Sequence, residues 1–234
     1  MTGKDLVKEY HLIWEKYKLS DLNSPTNSSA DKLLDRGFVF QFDEEIMNPD
    51  VLFVGINPSY KHGSIKEELY YTKEQALQHS YFKPFENIEY DLKQRYKNQI
   101  TWTHMDMLVF RETQQSFIRD NLFRSQKGLE FLMDQLTISK KVLEHIQPKV
   151  MVVSNTMARE LLGRNRWSKE YGKEYGVWMG LEFKFDESIG TDVIINHDIL
   201  SGTKVFFTSM LSGQRALDNG TKERLVWHIN EVLK

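Results

Sequence analysis

Three short apolar runs constrain the fold of this chain more than any other feature. They are VLFVG at 51–55, KVMVVS at 149–154 and KVFFTS at 204–209, and each holds an apolar stretch without polar alternation. Strands of this kind are buried on both faces, which is typical of a parallel sheet covered by helices. Helical patterns separate the runs, so the sequence predicts an α/β fold with three layers, α/β/α, around a central, mostly parallel sheet.

Amphipathic patterns place helices and one insertion around these strands. Apolar residues at helical spacing predict a first helix over about 4–17: Leu6, Tyr10, Ile13, Trp14 and Tyr17. A longer period over 129–146 predicts a helix that Pro148 ends. Residues 180–198 read as a β insertion. Because no repeat or linker divides the chain, we expect residues 1–234 to form a single domain with an extra N-terminal helix.

Composition excludes several classes of function. The 234 residues include no cysteine, which rules out disulfides, thiolate metal sites and a cysteine nucleophile. The formal net charge is -2, so any basic surface for nucleic acid must be local. Neither a metal-binding histidine spacing, a phosphate-binding glycine loop nor a serine elbow is present, and we expect no metal and no other cofactor. No apolar run reaches the roughly 18 residues of a membrane span, so we expect a cytoplasmic protein without a membrane partner.

Polar segments follow the predicted strands, and in open parallel sheets ligands bind at the carboxyl ends of the strands. Four segments are thereby collected into one candidate site: GINPSY, HMDMLVFRET, SNT and TSMLSGQR. Asn57 has two interpretations: a capping residue in a tight turn, or an amide held rigidly to orient a water or a base edge. His104 and Asp106 should point to the same side of an extended segment, either as cooperating site groups or as a pair inside the fold. Arg111 and Glu112 are interpreted as a structural ion pair, with a substrate role as the alternative.

The segment VLFVGINPS at 51–59 resembles the first signature motif of the uracil-DNA glycosylase superfamily, in the Gly-Ile-Asn-Pro form of its mismatch-specific branch. The segment LEHIQPKVMVVSNTMARELLG at 143–163 is similar to the helix, Pro-Lys-Val strand and Ala-containing helix of that family. KVFFTSMLSG, at 204–213, falls where the family has its last strand and its second motif. The resemblance covers most of the chain from Val51 onward and implies a uracil-DNA glycosylase-like fold.

The resemblance implies roles for the first-motif residues and for the middle of the chain. Asn57 matches the residue that positions the hydrolytic water. Of the other implied substrate contacts, the loop that shapes the pocket consists of Gly55, Ile56 and Ser59, and Tyr60 forms its wall. The candidates for the ring that stacks on a flipped base are Phe82 and Phe85, and the base-reading position falls on His104 and Asp106. Where the family reads the base edge with an Asn, this chain offers His104 and Asp106.

The second motif departs from the family pattern. The alignment puts Met210 where many members have a His that stabilises the departing base, Leu211 on the Pro and Ser212 on the Ser. The function of the missing His is expected to be supplied by backbone N–H groups and by three side chains of this segment: Ser212, Gln214 and Arg215. Ser212 would be a catalytic residue and Arg215 a substrate contact. Phosphate contacts from Arg215 and from Lys61, His62 and Lys222 are one interpretation, and scattered surface charges are the other.

The resemblance implies a base-excision-repair enzyme that flips a base out of DNA and hydrolyses its N-glycosidic bond with water. Its partner would be DNA containing uracil, a related base or a mismatch. Two alternatives stay open. One is a catalytically silent nucleic-acid or nucleobase binding protein of the same fold, which Met210 and the net charge favour. The other is hydrolysis of a small nucleoside-like molecule.

Overall fold

The three apolar runs lie side by side in one sheet of the computed structural model. The structure describes residues 1–22, 25–26, 29–61, 63, 69–164, 178–211 and 216–234. The strands are β1 (Pro25–Thr26), β2 (Ser29–Lys32), β3 (Phe40–Gln41), β4 (Val51–Gly55), β5 (Tyr70–Tyr71), β6 (Trp102–Asp106), β7 (Val150–Val153), β8 (Phe183–Asp186), β9 (Thr191–Ile194) and β10 (Lys204–Phe207). The α-helices are α1 (Gly3–Tyr17), α2 (Lys73–Ala76), α3 (Lys83–Tyr96), α4 (Gln115–Phe117), α5 (Gln126–Ile146), α6 (Thr156–Leu162) and α7 (Asn219–Leu233).

The main sheet has six strands in the order β6-β4-β7-β10-β9-β8. The first four are parallel, and β9 and β8 add to β10 in antiparallel fashion. The prediction of an α/β fold with a mostly parallel sheet is therefore confirmed. The β insertion predicted at 180–198 is the β8–β9 hairpin, which extends the sheet beyond β10 and leaves the parallel strand ends on the other half of the sheet.

The two faces of the parallel strands are buried against different helices. In β4, Val51 and Phe53 belong to an apolar cluster that includes residues of α3 and α7, whereas Leu52 and Val54 belong to a cluster that includes residues of α1, α5 and α6. Successive side chains of a strand point to opposite faces, so an uninterrupted apolar run fits only a strand covered on both sides. Helices on both faces make the three layers that the sequence predicts.

Helix α1 is close to its predicted bounds and is fixed at both ends. The Thr2 hydroxyl accepts from the Asp5 backbone N–H and the Asp5 carboxylate accepts from the Thr2 N–H, a reciprocal cap that starts the helix. Near its end, the Tyr17 hydroxyl donates to Asp134 of α5 at 2.9 Å.

The described helices include none long and apolar enough to cross a membrane.

Candidate functional site

The carboxyl ends of β4 and β6 bring the first motif next to Asp106. Gly55 and Asp106 are register partners in this parallel pair. Beyond the strands, the Met107 N–H donates to the Gly55 carbonyl at 3.1 Å and the Leu108 N–H donates to the Ile56 carbonyl at 2.8 Å. The turn Gly55–Ser59, called the GINPS turn below, is therefore held against the segment that follows β6.

His104 and Asp106 form a buried pair at this edge. Their side chains lie on the same side of β6, as the spacing predicts, with His104 Nε2 3.7 Å from Asp106 Oδ1. The side chain of Asp106 is 8% exposed and that of His104 is 1% exposed. Neither ring nitrogen of His104 has a hydrogen-bond partner among the described residues. Buried polar groups without partners are rare and destabilising, so this pair calls for an explanation beyond packing.

The absence of a side chain at Gly55 makes room for the carboxylate. A Cβ atom at this position would overlap Asp106 Oδ1, and it would lie 3.2 Å from His104 Nε2 and 3.3 Å from Tyr81 Oη. These three polar atoms thus converge on the bare α-carbon that opens the GINPS turn. A residue larger than glycine would displace the carboxylate from this place.

Burial shifts both titrations in the direction of the neutral forms. It raises the pKa of Asp106 to about 7 and lowers the pKa of His104 to about 3. The imidazole is accordingly neutral at physiological pH and supplies no positive charge to the carboxylate. A carboxyl group that titrates near neutrality at the carboxyl edge of a parallel sheet has the properties of a general base.

The aromatic rings predicted to stack on a base lie in the core. Phe85 is stacked on Phe53 at 4.4 Å and lies nearly parallel to the His104 ring at 5.5 Å. Phe82 meets His104 and Phe85 edge to face, and both phenylalanines are buried. These two rings therefore pack against the His104 side of the buried pair. Because other side chains of the protein contact them, they form part of the core in this structure and not a surface for a stacked base.

Two tyrosines near the pair were missed by the sequence analysis. Tyr71 and Tyr81 are only partly buried residues, and burial together with the charge of Asp106 raises the pKa of each phenol well above its usual value. Tyr81 also contacts His104 edge to face at 5.7 Å. Tyr81 is spaced one helical turn before Phe85 of α3, so its place on the apolar stripe of that helix was the sequence signal for it.

The amide of Asn57 is committed to the fold of its own loop. Its Nδ2 donates to the Glu112 carbonyl at 2.7 Å, to the Pro58 carbonyl at 2.9 Å and to the Phe110 carbonyl at 3.4 Å. The Glu112 N–H donates back to the Pro58 carbonyl at 3.0 Å. Asn57 therefore joins the GINPS turn to the segment after β6. Within the turn, Ile56 is buried in the core and Ser59 is exposed.

A buried ion pair lies behind this loop. Arg36 donates from Nη1 to Glu112 Oε2 at 2.8 Å, and neither side chain is exposed. The guanidinium groups of Arg36 and Arg111 lie 4.7 and 5.1 Å from the centre of the Tyr60 ring, and the Tyr60 hydroxyl donates to Asp31 at 2.6 Å. Glu112 thus forms a buried ion pair with Arg36, and the pairing of Glu112 with its neighbour Arg111 stays a prediction.

The second-motif segment is described only in part. Met210 is partly buried and forms a bridge to Ala216, whereas Ser212, Gln214 and Arg215 lie outside the described residues, as does His62. Lys222, a predicted phosphate contact, is 3.5 Å from the Asp91 carboxylate. Because β4, β7 and β10 are neighbours, the segments that follow them share one edge of the sheet. Of the predicted site residues, the structure brings Gly55, His104 and Asp106 together at the neighbouring ends of β4 and β6.

Comparisons with known proteins add no family to these observations. No protein-family model matches the sequence, and a search of curated proteins gives no match. In the described ranges, no group of three or more His, Cys, Asp or Glu side chains is placed to hold a metal ion.

Replacing Asn57 by alanine is expected to lower the free energy of unfolding by about 1–3 kcal/mol, because backbone carbonyls in the loop lose their donor. Asn57→Asp should destabilise the protein more, since a carboxylate would face the same carbonyl oxygens. Urea denaturation at pH 7 measures both changes. An Asn57→Asp protein as stable as the wild type would contradict the assigned hydrogen bonds.

Proposed function

We propose that this protein hydrolyses the N-glycosidic bond of uracil or a related base in DNA. The observation that carries the proposal is the Asp106 carboxyl group, which lies against Gly55 of the GINPS turn at the carboxyl edge of the parallel sheet. The turn is the segment that resembles the first motif of the uracil-DNA glycosylase superfamily.

The chemistry of base removal fits the groups at this edge. Cleavage of a glycosidic bond passes through an oxocarbenium-like sugar, so positive charge develops next to the site of water attack. A carboxylate held in a site of low dielectric stabilises that charge more strongly than one in water. Asp106 is such a carboxylate, and its buried surroundings keep water from screening it.

The order of the strands supports the same reading. The three segments that resemble the family follow or contain β4, β7 and β10, and these are adjacent strands that run in the same direction. The turn after β4, the Ser154–Asn155 segment after β7 and the Met210 segment after β10 therefore line one edge. A flipped nucleotide placed there would meet all three.

A binding protein without chemistry is the second candidate, and Met210 favours it. A thioether cannot donate the hydrogen bond with which a His would stabilise a departing base anion. Such a protein would use the same edge to hold a base or a nucleic acid. Its affinity for DNA would fall steeply with salt, because phosphate contacts release counterions.

The two candidates are separated by incubating the protein with oligonucleotides that carry one uracil. We expect alkali-labile abasic sites to accumulate in single strands or in duplexes with uracil opposite A or G, and free uracil to be released in equal amount. Oligonucleotides with thymine in place of uracil are the control. Salt-sensitive binding without abasic sites would support the binding protein. If the protein neither cleaves nor binds these oligonucleotides, both candidates are rejected.

A further inference from the structure

We infer that Asp106, and not Asn57, takes the proton from the water that attacks the sugar. This assignment rests on the proposed function. The family resemblance implies that Asn57 positions the hydrolytic water, and Asp106 is the residue to which we assign its proton. It is drawn from the contacts that each of the two side chains makes in the folded protein.

The side-chain N–H groups of Asn57 are used in hydrogen bonds to backbone carbonyls of its own loop and of the segment after β6. Its nitrogen has two protons, and the carbonyl oxygens of Pro58 and Glu112 lie within 2.9 Å of it. An amide oxygen can accept a hydrogen bond from a water but cannot remove a proton at neutral pH. Asn57 can thus support the shape of the turn, whereas the proton needs a basic acceptor elsewhere.

The carboxylate of Asp106 has the opposite character. No described residue donates a hydrogen bond to it, and the His104 imidazole, with Nε2 3.7 Å away, is neutral. Both lone-pair sets of the carboxylate thus stay available for a water. The side chain retains 8% exposure, which leaves a small opening at the sheet edge.

The neighbours of this carboxylate keep it reactive. A cation beside Asp106 would stabilise the ionised form and make it a weaker base. The described groups close to it are the neutral His104 ring and the phenols of Tyr71 and Tyr81, none of which carries positive charge at neutral pH. Gly55 completes the arrangement, because its bare α-carbon leaves the space that the carboxylate occupies at the start of the GINPS turn.

The step balances with water as the one co-reactant. The bond between the sugar C1′ and the base nitrogen breaks, and its electron pair leaves with the base. The water oxygen forms a new bond to C1′, and one water proton passes to the Asp106 carboxylate. The base anion then takes up a proton from solvent, and Asp106 releases its proton to solvent. The products are the free base and an abasic sugar.

Single-turnover kinetics on a uracil oligonucleotide at saturating protein tests this assignment. The wild-type rate constant should rise with pH to a plateau with an inflection near 7, because only the ionised carboxyl accepts a proton. Asp106→Asn should lower the plateau by at least about 100-fold and abolish the inflection. Asn57→Ala, assayed at a temperature where it is folded, should keep the inflection even if its rate is lower.

Chemical rescue distinguishes proton transfer from a structural role. Formate added to Asp106→Ala should restore part of the rate, since a small carboxylate can enter the space that the substitution leaves. Formate should not accelerate Asp120→Asn, a control at a carboxylate that is 57% exposed.

The outcomes separate the two proposals. An inactive wild type rejects the proposed function and the assignment with it. An active wild type whose Asp106→Asn variant stays within about threefold, with the same inflection, leaves the proposed function standing and overturns the assignment. A change in base preference or in DNA affinity at an unchanged plateau would also overturn it, because it would make Asp106 a reader of the base edge.

Discussion

Replacing Arg36 by leucine is expected to lower the free energy of unfolding by about 3–5 kcal/mol, because it removes a buried guanidinium that contacts the buried Glu112 carboxylate. Arg36 Nη1 lies 2.8 Å from Glu112 Oε2 and both side chains are fully buried. The same guanidinium donates to the backbone carbonyls of Asp31 and Arg111. Its loss would therefore affect two other segments of the chain, one at Asp31 and one at Arg111 and Glu112.

The measurement is urea denaturation with a double-mutant cycle. Glu112→Leu alone should also be strongly destabilising, and the double variant should recover much of the loss, since it removes both of these buried charges together. The matched control is Arg95→Leu, which removes an exposed ion pair with Glu223 at 3.2 Å and should change stability by less than about 1 kcal/mol. Equal effects of Arg36→Leu and Arg95→Leu would contradict the buried pair.

This pair also bears on the site. The Glu112 carbonyl accepts from Asn57, and the Glu112 N–H donates to the Pro58 carbonyl. The ion pair behind the loop thus fixes the residue to which the GINPS turn is joined. A weakened pair should loosen the Asn57–Pro58 part of the turn before it unfolds the sheet, because Glu112 joins that part to the segment after β6.

The layers and the main sheet could be predicted because local pattern decides them. An uninterrupted apolar run such as Val51–Val54 has to be covered on both faces, and the structure covers it with helices on both faces. The 3.6-residue period predicts α1 within one residue at its start and gives its last residue, since a single apolar stripe fixes the buried face. Carboxyl ends of neighbouring parallel strands meet by geometry, so the meeting of Gly55 with Asp106 follows once the sheet is known.

The contacts of individual polar side chains could not be predicted, because their partners are distant in sequence. Glu112 pairs with a residue 76 positions away and Asn57 bonds carbonyls more than 50 positions away. The alternation of a strand places His104 and Asp106 on one side, but it does not give their burial. That burial depends on Phe82 and Phe85, which the sequence analysis assigned to the substrate and the structure assigns to the core.

The second large effect is expected from Asp106→Asn, which should make the protein more stable at pH 8 by about 2–4 kcal/mol. Burial raises the folded pKa of Asp106 from 3.8 to about 7, so the folded state holds this proton more tightly than the unfolded state does. The stability that this proton contributes is present below pH 3.8 and is lost as the pH rises through about 7. Asparagine has no such proton, and the advantage of the variant should therefore shrink from pH 8 toward pH 4.

His104 gives the variant a second signature. Its folded pKa is lowered from 6.5 to about 3 by burial, so its contribution to stability is present above pH 6.5 and is lost as the pH falls. In the wild type, the two titrations oppose each other between about pH 4 and 6.5 and largely cancel. In Asp106→Asn only His104 remains, and unfolding free energies from urea titrations should fall toward acid by roughly 1 kcal/mol per pH unit beyond the slope of Asp120→Asn. Parallel pH curves for the two variants would show that Asp106 is not held in a buried, neutral form. If Asp106→Asn is instead more stable and less active than the wild type, Asp106 is a site residue that lowers the stability of the folded protein while it supports the reaction.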